Sequence, residues 1–123
     1  METPTPATPG MHSVPGFTLR TAMPAPGLVE ARLIGDLDLA NAPLVRDELV
    51  RMLDEGVTKL SIDLSDLTFL DSTGIAALVV VRKHALELDV ELDVHSPREA
   101  VCHVLEACGV DELFGLAHPD PAC

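Results

Sequence analysis

Two adjacent hydroxyls, Ser72 and Thr73, stand between Asp71 and Gly74 in the stretch DLSDLTFLDSTGIAALVVV, residues 63–81. Three chemistries are open to such a pair: capping a helix, attacking a substrate, or accepting a phosphoryl group. Capping follows from residue type, because Asp71 or Ser72 can accept hydrogen bonds from the exposed N–H groups of a first helical turn. Nucleophilic attack needs a base and an orienting acid as well. No GxSxG surrounds Ser72, and no spacing places a histidine beside it. Phosphorylation suits the position physically. A helix N-terminus tolerates the new charge, which would add about -1.5 to -2 beside Asp71. Thr73, Gly74, Ala76 and Ala77 keep the helix start slim, while Phe69 and Leu70 put apolar groups next to it. A slim, partly apolar rim is what a docking partner requires. A phosphate there would break a contact without unfolding the chain.

The other reactive side chains offer less. His12, His84, His95, His103 and His118 lack ligand spacing to one another or to cysteine, so no metal site is expected. Cys102, Cys108 and Cys123 form an odd set without CxxC spacing, which reads as a reduced, cytoplasmic protein. Cys108 falls on an apolar helical stripe and Cys102 off it. Neither GxxxxGK[ST] nor GxGxxG occurs, and no cofactor is expected. A formal net charge of -12 argues against direct binding to nucleic acid or anionic membrane. With 2% aromatic residues, few rings are present to stack bases. The longest apolar run, IAALVVV from Ile75, is far shorter than the roughly 20 residues that span a bilayer.

The elements that must position Ser72 are legible from periodicity. The 123 residues suit one domain, expected over residues 14–117. A disordered proline-rich tail is expected over residues 1–13, and a short tail over 118–123. FTLRT (17–21) and LVEARLI (28–34) alternate as strands joined by a hairpin at 23–27. After Gly35, Asn41 is placed to cap a helix that carries Val45, Leu49, Met52 and Leu53 at helical spacing and ends at Gly56. KLSIDLS (59–65) is a strand, and a second helix runs from about Ser72 to Leu86. VELDVHS (90–96) is a strand, and SPRE (96–99) has the form of a capping box before a third helix that closes at Gly109. That helix is expected to bury Val101, Val104, Leu105 and Cys108. The order predicts an α/β fold: a mixed β-sheet opening with a hairpin, with helices chiefly on one face.

Three segments in this order resemble the STAS domains of bacterial anti-sigma factor antagonists. GDLDLANAPLVRDEL (35–49) is similar to the family's G-x-L-D segment entering the first helix. LSIDLSDLTFLDSTGIAALV (60–79) resembles its strand, loop and D-S-[ST]-G helix start. HSPREAVCHVLEACGVDELF (95–114) resembles its third helix, with Val110 replacing a leucine. The likeness covers about residues 16–117. The family commonly adds a C-terminal helix after the segment matching LFGL, whereas AHPDPAC follows here, so a shortened domain or a docked partner is expected on that face.

The resemblance implies a binding module rather than an enzyme. Ser72 matches the phosphoacceptor serine. Asp71 and Gly74 frame it, and Thr73 takes the second hydroxyl position. Asp38 matches the acidic residue of the G-x-L-D loop, with Asp36 its neighbour. Phe69 and Leu70 join these residues as partner-binding candidates. The implied partners are an anti-sigma factor with serine kinase activity, which itself binds ATP, and a serine phosphatase. The protein itself is expected as a monomer or weak dimer. Two alternatives remain open: a STAS interaction subunit of a transport or signalling complex, and a small hydrolase using Ser72.

Overall fold

Alternating burial in two consecutive segments sets the architecture, described for residues 10–110 and 112–114 in a computed structural model. Strand β1 (Gly10–Val14) turns through Pro15 and Gly16 into β2 (Phe17–Ala25), and β2 turns at Gly27 into β3 (Leu28–Leu37). Gly16 and Gly27 have φ of 82° and 79°, the conformation a proline-glycine turn demands. Helix α1 (Ala42–Asp54), β4 (Lys59–Asp63), β5 (Leu67–Leu70), α2 (Ser72–Glu87), β6 (Glu91–His95) and α3 (Glu99–Ala107) follow. A 3-10 turn at Glu112–Phe114 ends the described chain.

The sheet runs β1-β2-β3-β4-β6, with β1, β2 and β3 antiparallel and β4 and β6 parallel to β3. Its mixed character and opening hairpin agree with the sequence. Leu19, Leu33, Ala31, Ile62 and Val94 share one face and are buried in a single cluster with Val45, Leu49, Leu78, Val81 and Leu105 of the helices. The helices therefore cover that face, and Arg20, Glu30, Arg32, Asp63 and His95 occupy the other.

Strand β3 is long enough to serve two partners. Its first half pairs with β4, and its last residues pair with β5, setting Asp36 beside Phe69 and Leu37 beside Leu70. Asp63 accepts the Ser65 N–H at 2.8 Å, and the Leu67 N–H reaches the Leu64 carbonyl at 3.1 Å, so the chain bends between β4 and β5 and rejoins β3.

Several expectations change. Residues 10–13 belong to β1 rather than to a disordered tail, because β1 forms a full antiparallel ladder with β2 and His12 reaches Glu48 of α1 at 3.3 Å. Residues 1–9 and both the segment expected as a C-terminal tail and the missing-helix question lie outside the described residues. SPRE does not form a capping box. Ser96 sits at φ 61° with its hydroxyl against His95 Nδ1 at 2.9 Å, and α3 starts behind Arg98, which makes no side-chain cap. The two helical cysteines exchange places. Cys102 is buried and disulfide-bonded, so the expectation of three reduced cysteines fails there, and Cys108 is a free, exposed thiol just past the last turn. Val104 is only half-buried.

Candidate functional site

The end of β5 delivers the site. The Asp71 N–H bonds to the Leu37 carbonyl at 3.3 Å, which continues the β3–β5 pairing up to the first residue before α2. Asp71 is the N-cap, with extended backbone (φ -113°, ψ -176°). Its Oδ1 accepts the N–H groups of Thr73 and Gly74, both at 3.0 Å, and the Thr73 hydroxyl. These bonds satisfy orphan donors of the first turn. They also hold the Asp71 carboxyl below its ordinary pKa. The Thr73 hydroxyl contributes most, followed by the Gly74 N–H, with smaller help from the backbone of Thr73 and Leu39. Desolvation opposes them and loses.

Because Asp71 does the capping and Thr73 bonds back to it, Ser72 is left over. It is exposed as the first residue of α2, and its hydroxyl makes no hydrogen bond among the described residues. Of the two hydroxyls, that of Thr73 is engaged and that of Ser72 is without a hydrogen-bond partner among the described residues.

Gly74 explains how the helix start fits so closely onto the sheet. A Cβ at this position would stand 2.7 Å from Leu70 Cδ1 and 2.9 Å from the Leu37 carbonyl oxygen. Leu70, 3% exposed, lies beneath Gly74 rather than on a docking rim, so its sequence-based placement at the surface is corrected. Phe69, 49% exposed, does face solvent.

The GDLD loop reaches the same end of the sheet through β3. Asp36 accepts the Thr68 hydroxyl at 2.9 Å, and Asp38 accepts the Ala40 N–H at 3.0 Å. Asn41, at the N-cap position of α1, does not cap it as expected. Its buried amide accepts the Asp38 N–H at 3.0 Å and donates to the Asp36 carbonyl at 2.7 Å, locking the loop that carries both aspartates. Nothing in residue type alone separates this role from capping, since both begin with an asparagine before a helix.

A groove of about 230 Å³ opens between α1 and α2, with Leu39, Pro43 and Arg46 on one wall and Ala76, Ala77 and Val80 on the other. Thr73, Ala76, Ala77 and Val80 line it from one face of α2, at helical spacing. Leu39 is 72% exposed and Val80 44%. Single exposed apolar residues mean little, but these border one groove that also takes in Thr73, the neighbour of Ser72. Sequence reasoning missed Leu39, Pro43, Arg46 and Val80. The i, i+3, i+4, i+7 spacing from Thr73 was the available signal. Among the described residues no helix is long and apolar enough to cross a membrane, and no cluster of His, Cys, Asp or Glu could hold a metal.

Known proteins agree with this geometry. The model of the STAS domain family matches residues 24–121. The chain is 31% identical to low affinity sulfate transporter 3 of Stylosanthes hamata over 107 residues, covering 76% of this chain but only 17% of the transporter. It is 24% identical to the anti-sigma-B factor antagonist of Bacillus subtilis, covering 72% of this chain and 81% of that protein. The Bacillus anti-sigma factor antagonist SpoIIAA shares the fold in its unphosphorylated form (TM-score 0.67, 18% identity, 81% of this chain and 99% of that one). It does so again in its phosphorylated form (TM-score 0.64, 19% identity, 76% and 86%). A mixed sheet with helices on one face, a capped D-S-T-G helix start and a family match across most of the chain have one meaning: this protein belongs to the STAS domain family.

Proposed function

We propose that this chain is an anti-sigma factor antagonist whose binding is gated at Ser72. In its unphosphorylated form it sequesters an anti-sigma factor with serine kinase activity and so releases a sigma factor. Phosphorylation of Ser72 by that partner, which carries the ATP, ends the binding, and a serine phosphatase restores it. The observation that carries this reading is the division of labour at the α2 start: Asp71 caps, Thr73 bonds to Asp71, and the Ser72 hydroxyl stays free and exposed.

The mechanism follows from electrostatics. A phosphate on Ser72 meets the positive end of α2, which keeps the fold intact. It also adds charge beside Asp71, at the sheet end that carries Asp36 and Asp38, and next to Thr73, which lines an apolar groove. A partner seated on Phe69, Leu39 and Val80 would then have to desolvate a dianion among carboxylates. Among the described residues, Arg46 is the one basic group lining the groove. The chain's own chemistry is passive throughout: it presents the hydroxyl, and the partner transfers the phosphoryl group.

Incubation with ATP and the cognate kinase, followed by mass spectrometry, tests this. One phosphate on Ser72 is expected, with none on Ser72→Ala. Ser72→Ala should bind the anti-sigma factor as wild type does, and Ser72→Asp at least roughly tenfold more weakly. Equal binding by Ser72→Asp and wild type sinks the proposal. A second reading, an interaction subunit of a transport assembly, is favoured by the 31% identity to a sulfate transporter. It predicts capture of transporter components by the unphosphorylated protein and no effect of Ser72→Asp on any sigma-dependent transcript.

A further inference from the structure

The sheet face turned away from the helices carries a second charged cluster that the Ser72 site does not use. Register places Arg20 of β2 directly opposite Arg32 of β3, and Asp63 of β4 and His95 of β6 continue the row. Glu30, two residues from Arg32 on the same face, sits between Ala22 and Ser61. Together these side chains line an open concavity of about 410 Å³.

Like charges directly opposite one another weaken an antiparallel pair. The chain has twenty acidic and eight basic residues, so a facing pair of arginines is the arrangement its composition makes least easy. The two arginines are also unequal. Arg32 is braced from one side, with Nη2 3.3 Å from Asp63 and Nη1 3.4 Å from Asp66. Asp66 is further shared with Arg98 at 4.0 Å. Asp63 stays charged for this task. Burial alone would raise its pKa, but hydrogen bonds from Ser65, then the nearby charge of Arg32, outweigh that and lower it. Arg20 makes no side-chain hydrogen bond or ion pair among the described residues, and Glu30 makes none either.

We propose that this concavity binds a small oxyanion, a carboxylate or phosphate group on a soluble ligand, between the guanidinium groups of Arg20 and Arg32. A planar guanidinium matches an oxyanion with two parallel N–H bonds. Arg32, already oriented by two carboxylates, is one preorganised wall. Arg20 supplies a charge with no ion-pair partner among the described residues. Glu30 and Asp63 border the site and repel long polyanions, which limits the ligand to a compact anion. The inference is independent of the Ser72 switch.

The arginine Nε–Hε resonances of the isotopically labelled full chain read this out. Inorganic phosphate and acetate are titrated separately at constant ionic strength held with chloride. The Arg20 and Arg32 signals should move together and saturate at millimolar anion, while those of Arg46 and Arg51 do not. Saturation by phosphate alone assigns a phosphate ligand, and saturation by both assigns a general oxyanion site. Arg20→Gln should abolish saturation, and Glu30→Gln should tighten it roughly threefold by removing a neighbouring negative charge. Linear drift at every arginine, saturation that survives Arg20→Gln, or weaker binding in Glu30→Gln overturns the proposal.

Discussion

Helices α2 and α3 both follow a strand and a short polar segment containing a serine, DSTG for one and SPRE for the other, yet their first turns are built differently. At α2 the preceding strand is tied to β3 up to Asp71, whose carboxylate turns onto two N–H groups of the helix. At α3 the chain leaves β6 through Ser96 in a left-handed conformation, and the serine hydroxyl bonds to His95 instead. Arg98 stands at the N-cap and sends its Nε to the Ser65 carbonyl at 2.9 Å. Capping residues therefore act only where the backbone before them is held in the right conformation. At α2 that anchoring does more than stabilise. By assigning the cap to Asp71, it leaves the serine hydroxyl unengaged.

The largest blow to this contrast should come from Gly74→Ala. The added methyl meets a backbone oxygen that cannot yield, and overpacking costs about 1–3 kcal/mol, more than the helix-propensity gain of at most about 1 kcal/mol. Net destabilisation of about 2 kcal/mol, read by urea unfolding, is expected, and an unchanged midpoint contradicts the close approach. Asp71→Ala should cost about 1 kcal/mol at neutral pH, as a lost N-cap does. Because the folded pKa of Asp71 is lowered, its contribution is full above the unfolded value near about 4 and is lost as pH falls through the folded value. The gap between wild type and Asp71→Ala should therefore close in acid, and a gap constant with pH rules out the carboxylate as its source.

Ser96→Gly should act in the opposite direction at the other helix. A non-glycine residue in the left-handed region is strained by about 1 kcal/mol, partly offset by the lost hydroxyl bond and a freer unfolded chain. A stabilisation of about 0.5 kcal/mol is expected, and a loss above about 1 kcal/mol would show that Ser96 caps after all. The smallest effect belongs to Ser72→Ala, within about 0.5 kcal/mol of wild type by the same unfolding curves. A larger cost would mean that the hydroxyl has a structural partner.

Strands β2, β3 and β4 and helix α2 were legible because burial on one face imposes a simple period on sequence. Strand β1 was not, since its residues GMHSV adjoin a proline-rich stretch and pair only at the sheet's edge. Strand β5 was hidden by its length: of LTFL only the two outer leucines are buried, with Thr68 and Phe69 exposed between them. Ser72, Asp71 and Gly74 could be named from residue type and family likeness. The burial of Leu70 and the bracing by Asn41 depend on which segment crosses above, and no local pattern records that. Cys102 and Cys108 exchanged places because α3 turns Val101, Cys102 and Leu105 to the core, with Val104 only half-buried, and ends at Ala107 before Cys108 can join them.

The double partnership of β3 has a kinetic meaning. Its first half meets β4 and its last residues meet β5, both in parallel ladders between residues about thirty positions apart in sequence, so the Ser72 end forms only once a long loop has closed. Closing such a loop carries an entropic cost before any contact repays it. A chain that has not completed its sheet therefore lacks the β3–β5 pairing that fixes Asp71 as the cap of α2 and sets Ser72 beside it.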